Sequence, residues 1–224
     1  MPPAESLRRH DWVYLPADWR EKLVAPLPPE DSDAVTHWIE KSRPIVVARS
    51  LEGDAPGLLR LGLALPGKRR IGLQLPASAV RLTRQAPFFL DAAPSAGAFW
   101  PEALAALSHM FERHAPRMRV FGSFAWQFLA DELSYCYVTA QSDIDLLLEP
   151  ESNEQLWAWL EHLGEFESRF ASPRLDGEIV LPDGDFVAWR EYSMRPSRIL
   201  AKGARSLRLR PFEEISRLFP ARAA

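Results

Sequence analysis

The chain has 224 residues (25.4 kDa), enough for one large domain or two small ones, and its net charge of −3 is too nearly neutral to hold polyanions by overall charge. Any affinity for phosphate must come from a local cluster. The single cysteine, Cys136, excludes an intramolecular disulfide and a thiolate metal centre, and points to a reducing compartment.

The N-terminal stretch MPPAESLRRHDWVYL lacks the apolar core of a signal peptide, and no apolar run approaches the ~20 residues that span a bilayer. A cytoplasmic protein with no membrane partner is the expectation. Pro16, Pro26, Pro28 and Pro29 read as breaking residues 1–34 into short helical pieces. Short runs with β character follow at Pro44–Ser50, Leu58–Pro66, Arg69–Pro76 and Ala79–Arg84, and L-R-L-G-L-A-L alternates at period two. Residues 1–86 are therefore expected to form a small β-rich unit, and 87–98 a connection packed on the surface.

From residue 99 to 224 the pattern changes. PEALAALSHMFERH has Leu104, Leu107 and Phe111 at helical spacing behind Pro101. RMRVFGS reads as a strand entering a turn, and FAWQFLADELSY as a helix with Phe124, Phe128 and Leu129 on one side. SDIDLLLE reads as a strand and NEQLWAWLEHLGEF as a helix. RLDGEIVL and DFVAWREY read as a hairpin across Pro182-Asp183-Gly184, ahead of a basic-apolar tail ending in helix-like EEISRLF. The predicted class is α+β: a mixed sheet with helices on one side, preceded by the small β-rich unit.

Two carboxylates stand at the mouth of an otherwise apolar strand. On an extended chain Asp143 and Asp145 share a face, about 6.5–7 Å apart at Cα, while Ile144, Leu146 and Leu148 turn to the other. Such a pair repels itself unless a cation neutralises it, and Mg²⁺ takes one or two carboxylates plus substrate phosphates. Upstream, Gly122 lets the backbone approach a ligand, and Ser123 with the N–H groups of the following helix offers an anion site. A phosphate cradle and metal-binding carboxylates are thus predicted some twenty residues apart, joined by one helix.

Gly-Ser followed by an apolar-flanked D-x-D resembles the signature of the DNA polymerase β-like nucleotidyltransferases. The segments R-H-D-W-V-Y-L from Arg9, L-G-L-A-L-P-G-K-R-R-I from Leu61, V-F-G-S from Val120, S-D-I-D-L-L-L from Ser142 and D-G-E-I-V-L-P-D-G-D-F-V-A-W-R-E from Asp176 together resemble the malonate decarboxylase holo-[acyl-carrier-protein] synthases, also called phosphoribosyl-dephospho-CoA transferases.

That resemblance implies an enzyme moving the phosphoribosyl-dephospho-CoA group from 2′-(5″-triphosphoribosyl)-3′-dephospho-CoA to a serine of the apo acyl carrier protein of malonate decarboxylase, with release of pyrophosphate. It implies Mg²⁺, or Mn²⁺ in its place, on Asp143 and Asp145, and the departing phosphates on Gly122 and Ser123. A third carboxylate is expected on a neighbouring strand, to share the metal or take the acceptor proton. Asp176 and Glu178 are the candidates, Asp176 favoured, with Asp185 an outsider and Asp183-Gly184 assigned to the turn. Lys202 is the expected phosphate contact within a basic run from Arg190 to Arg210 that also includes Arg195, Arg198, Arg205 and Arg208.

Lys68, Arg69 and Arg70 read as a smaller exposed basic turn. His10, His37, His109, His114 and His162 show no metal-ligand spacing, and Cys136 reads as an inert core thiol. No P-loop or G-x-G-x-x-G is present. The rival readings are a nucleotidyltransferase with another acceptor (a small molecule, tRNA or protein) and a non-catalytic module of the same fold. A nucleic-acid partner is not expected, because one basic cluster is too little surface.

Overall fold

A computed structural model of the chain describes residues 7–51, 53–96, 99–130, 135–203 and 206–220, without the side chain of Lys68. It divides into two compact units, Met1–Ala86 with Ala204–Ser206, and Pro87–Gly203 with Leu207–Ala224. The class is α+β.

In the first unit, β1 (Trp12–Tyr14), α1 (Pro29–Glu40), β2 (Ile45–Val47), β3 (Leu58–Ala64), β4 (Arg70–Pro76) and β5 (Leu82–Arg84) follow in chain order. The strands form an antiparallel sheet in the order β4-β3-β2-β1-β5. Alternation dictates the faces: Leu59, Leu61 and Leu63 of β3 and Ile71, Leu73 and Leu75 of β4 are buried, and each such side chain contributes about 1.5–3 kcal/mol.

The proline-rich start departs from expectation in two ways. Trp12–Tyr14 is an inner strand, because its aromatic and β-branched side chains suit a pleated surface. Pro29 begins a twelve-residue helix instead of breaking one, since a first-turn proline lacks only an N–H the helix would not use.

Asp54 staples the loop ahead of β3. Its carboxylate accepts from Arg60 Nε at 2.6 Å and Nη2 at 2.7 Å, from Gln74 Nε2 at 3.0 Å and from Leu51 N at 2.7 Å. The Arg60 hydrogen bond, followed by that from Leu51, lowers its pKa from 3.8 to about 2. A carboxyl whose pKa is depressed by folding contributes stability that is present above the unfolded value and lost as the folded value is crossed. Chemical denaturation of Asp54→Asn should therefore show reduced stability at pH 5–7. The difference from the parent should shrink as pH falls through about 4 toward 2.

The second unit opens on α2 (Phe89–Ala92), followed by α3 (Pro101–His114), β6 (Arg119–Phe121), α4 (Gly122–Leu129), β7 (Ile144–Leu148), α5 (Asn153–Arg169), β8 (Leu175–Val180), β9 (Phe186–Ala188), α6 (Trp189–Ser193), β10 (Arg198–Lys202), β11 (Leu207–Pro211) and α7 (Phe212–Ser216). The sheet order is β11-β10-β9-β8-β7-β6, with β7 and β8 parallel and the other neighbours antiparallel. Val120, Ile144, Leu146, Ile179 and Ile199 turn one face of the sheet toward a single core with Phe89, Leu107, Phe111, Phe124, Leu156, Leu163 and Tyr192 of the helices. The opposite face carries a small apolar patch of Leu147, Val180 and Phe186, with Phe121 packed on it.

Residues 87–96 are not a surface connection. Phe89 is fully buried and stacks edge-on against Phe111, centroids 4.8 Å apart, while Phe89 N donates to Met118 O and Val120 N to Pro87 O. The apolar content of FFLDAA outweighs the breaking tendency of its flanking prolines. The second expected helix is shorter than its pattern: α4 stops at Leu129, and Phe128 is exposed while Ala125 and Trp126 are buried. Residues 131–134 of that stretch lie outside the described residues. The segment Trp189–Ser193, expected within a hairpin strand, is helix α6, and β9 is only three residues long. No described helix is long and apolar enough to cross a membrane.

Candidate active site

β6 runs into α4 without a loop, so Phe121 closes the strand and Gly122 opens the helix. Phe121 is also the register partner of Asp145 on β7. The helix start and the carboxylate are forced together, and only glycine fits. Gly122 has φ +62°, and a Cβ there would lie 2.9 Å from Asp145 Cγ and overlap Oδ2. Ser123 Oγ donates to Asp143 O at 3.4 Å, tying the same turn to the residue before β7. Phe121 supplies no side-chain cap, whereas Ser152 caps α5 by accepting from Gln155 N at 3.1 Å. Phe121 thus puts no side-chain oxygen on the first N–H groups of α4, the groups that a helix start offers to an anion.

The parallel register of β7 and β8 sets Asp145 directly beside Asp176, on strands about 4.8 Å apart. Asp176 Oδ2 accepts from Arg174 Nη2 at 3.0 Å and Oδ1 from Gly177 N at 2.8 Å, which fixes its plane. Asp143, Asp145 and Asp176 thus stand at one end of the two parallel strands, all partly exposed. Glu178 lies one step deeper, beside Leu147 in register and only 5% exposed, and its Oε1 accepts from Lys202 Nζ at 2.7 Å. The two candidates Glu178 and Lys202 are therefore each other's partner. That arrangement separates Glu178 from the outer trio and makes Asp176 the better placed third carboxylate.

Among the described residues no group of three or more His, Cys, Asp and Glu side chains is gathered closely enough to hold a metal ion by itself. The donor set that is present consists of hard oxygens from two or three carboxylates at a rim. It fits Mg²⁺, which keeps several waters and completes its octahedron with substrate phosphates.

The basic run does not act as one surface. Arg190 pairs with Glu167 and donates to Leu175 O, Arg195 lies over the Trp157 ring at 4.2 Å, and Arg198 Nη2 donates to Leu209 O at 2.9 Å. Arg208 and Arg210 both hold Asp185, which is 6% exposed, and Arg210 also holds Asp183 and Glu214. Asp185 is thereby a structural counter-ion, and Asp183-Gly184 forms the β8–β9 turn with Gly184 at φ +86°. Arg205 lies outside the described residues. Cys136 is exposed, not a core thiol, because it sits in the irregular stretch ahead of β7. Two contributors went unread in the sequence. Arg174 is one, although its i,i+2 spacing from Asp176 signals a shared face. Gln127 is the other: its Oε1 accepts from Tyr137 N at 2.8 Å and its Nε2 donates to Tyr135 O, anchoring the approach to β7.

Two family models match the chain. The N-terminal domain of the phosphoribosyl-dephospho-CoA transferase MdcG covers residues 8–86, and the C-terminal domain of the same family covers 85–213. A phosphoribosyl-dephospho-CoA transferase from Xanthomonas euvesicatoria pv. vesicatoria is 39% identical over 96% of this chain and 98% of its own. One from Xanthomonas campestris pv. campestris is 35% identical over the same shares. One from Bradyrhizobium diazoefficiens is 34% identical over 87% of this chain and 85% of its own. No solved structure gives a significant match.

Proposed function

Because the chain belongs to the phosphoribosyl-dephospho-CoA transferase family and is a transferase, we propose that it moves the phosphoribosyl-dephospho-CoA group from 2′-(5″-triphosphoribosyl)-3′-dephospho-CoA to a serine of the apo acyl carrier protein of malonate decarboxylase, with pyrophosphate as the leaving group. The observation that carries the reading is the juncture at Gly122, where a helix start, a glycine without room for a side chain and the Asp145 carboxylate meet beside Asp176.

The chemistry is a phosphoryl displacement, which asks the protein for position and charge more than for covalent participation. Asp143 and Asp145 are the residues that would hold Mg²⁺, which when bound neutralises the oxygens of the triphosphate. The N–H groups at the start of α4 and the Ser123 hydroxyl hold the β- and γ-phosphates in line. The acceptor serine Oγ forms the new bond to the α-phosphorus, and its proton passes to the Asp176 carboxylate, which Arg174 keeps oriented. The bond between the α-phosphorus and the bridging oxygen breaks, and pyrophosphate takes the electron pair. The Glu178–Lys202 pair sits deeper than this trio and links β8 to β10 across β9.

The test is the intact mass of the apo carrier protein after incubation with the enzyme, Mg²⁺ and the triphosphoribosyl donor. The expected result is a gain equal to one phosphoribosyl-dephospho-CoA group, absent when ATP replaces the donor. A folded enzyme that leaves the carrier mass unchanged with donor present would overturn the reading.

A further inference from the structure

The hairpin of β3 and β4 carries a feature that neither its fold nor its packing requires. Gly62 and Gly72 are register partners in the middle of the two strands, and neither has a positive φ. A Cβ on either would meet nothing within 4 Å. Glycine in a strand interior weakens the strand and marks places where a ligand comes close to the backbone. Here the missing side chains leave a bare patch of peptide on the outer face, and that patch floors a cleft of about 450 Å³ walled by Ala25–Leu27 and Ala48. The volume is that of a small-molecule site.

The two ends of the floor are chemically different. On one side lies the register pair Arg60–Gln74 and on the other the pair Ala64–Arg70, each two residues away along the strands, or about 6.5–7 Å. Asp54 grips Arg60 through Nε and Nη2 and Gln74 through Nε2. The Arg60 Nη1 N–H groups and the Gln74 Oε1 acceptor take no part in these bonds, which leaves a donor and an acceptor on register partners at the edge of the floor. Arg70 is exposed and has no ion-pair partner among the described residues.

We infer that the N-terminal unit carries a binding cleft for an adenosine diphosphate group, with the base lying flat on the Gly62–Gly72 floor. Adenine presents an amino donor beside a ring-nitrogen acceptor, which matches Gln74 Oε1 and Arg60 Nη1. The diphosphate reaches Arg70 at the other end.

Titration calorimetry on the full chain tests this, with ADP, inosine diphosphate and dephospho-CoA as the probes and Gly72→Val as the variant. Valine suits an extended strand and has open space, so the variant should keep or raise Tm. ADP and dephospho-CoA should bind the parent, inosine diphosphate at least tenfold more weakly because its 6-oxo group reverses the donor–acceptor pattern. Gly72→Val should lose at least tenfold in affinity for both adenine probes. No binding of ADP or dephospho-CoA at millimolar concentration, or equal binding by parent and folded variant, would overturn the cleft. If carrier modification fails yet Gly72→Val still abolishes ADP binding, the cleft stands and the proposed transfer falls. If transfer proceeds and the variant binds normally, the cleft alone falls.

Discussion

Asp145→Asn is expected to lower transfer to the carrier protein by about 10³-fold, equivalent to roughly 4 kcal/mol of transition-state stabilisation, while the chain stays folded. The asparagine keeps the shape that fits under Gly122 but removes one of the charges that attract a divalent cation. The fold should not suffer, because asparagine keeps the size of the side chain and removes the repulsion between Asp145 and its register partner Asp176. Tm without metal should therefore equal or exceed that of the parent. The parent should gain Tm when Mg²⁺ and pyrophosphate are added together, as any ligand selective for the native state requires, and the variant should lose that gain. A variant that keeps both the transfer rate and the Mg²⁺-dependent rise in Tm would remove Asp145 from the site.

Much of this site was legible because strand alternation is a strict rule. Asp143 and Asp145 had to share a face once Ile144, Leu146 and Leu148 were committed to the core, and the structure places those three at full burial. The pairing of strands was not legible, because hydrophobic pattern fixes faces but not neighbours. The parallel register that sets Asp145 against Asp176, and the hydrogen bond that spends Lys202 on Glu178, depend on contacts between residues 31 and 24 positions apart. The N-terminal errors share one cause. Proline density was read as disruption, whereas Pro29 initiates a helix and the W-V-Y run lies inside a sheet. The basic tail misled for a related reason: counting arginines in sequence says nothing of the acids that Asp183, Asp185 and Glu214 bring to meet them.

Gly122→Ala should lower both stability and transfer, for two separable reasons. The residue has φ +62°, a left-handed backbone that costs an alanine about 1–2 kcal/mol. The new methyl group would also take the space of the Asp145 carboxylate, which must rotate or shift with its strand. Displacing a positioned group by about 1 Å costs on the order of 10²-fold in rate, so transfer should fall by about that factor even in the fraction that folds. Gly184→Ala provides the control: it shares the left-handed backbone at φ +86°, yet nothing lies within 4 Å of its Cβ. It should lose about 1 kcal/mol or more of stability and leave kcat unchanged. A double-mutant cycle in denaturant then isolates the contact. On an Asp145→Ala background, Gly122→Ala should cost only the backbone part, leaving a coupling of about 1 kcal/mol or more with Asp145. Additivity of the two substitutions to within about 0.5 kcal/mol would mean that the carboxylate does not occupy the space above Gly122. The juncture of strand, helix and acid on which the proposed active site rests would then have to be redrawn.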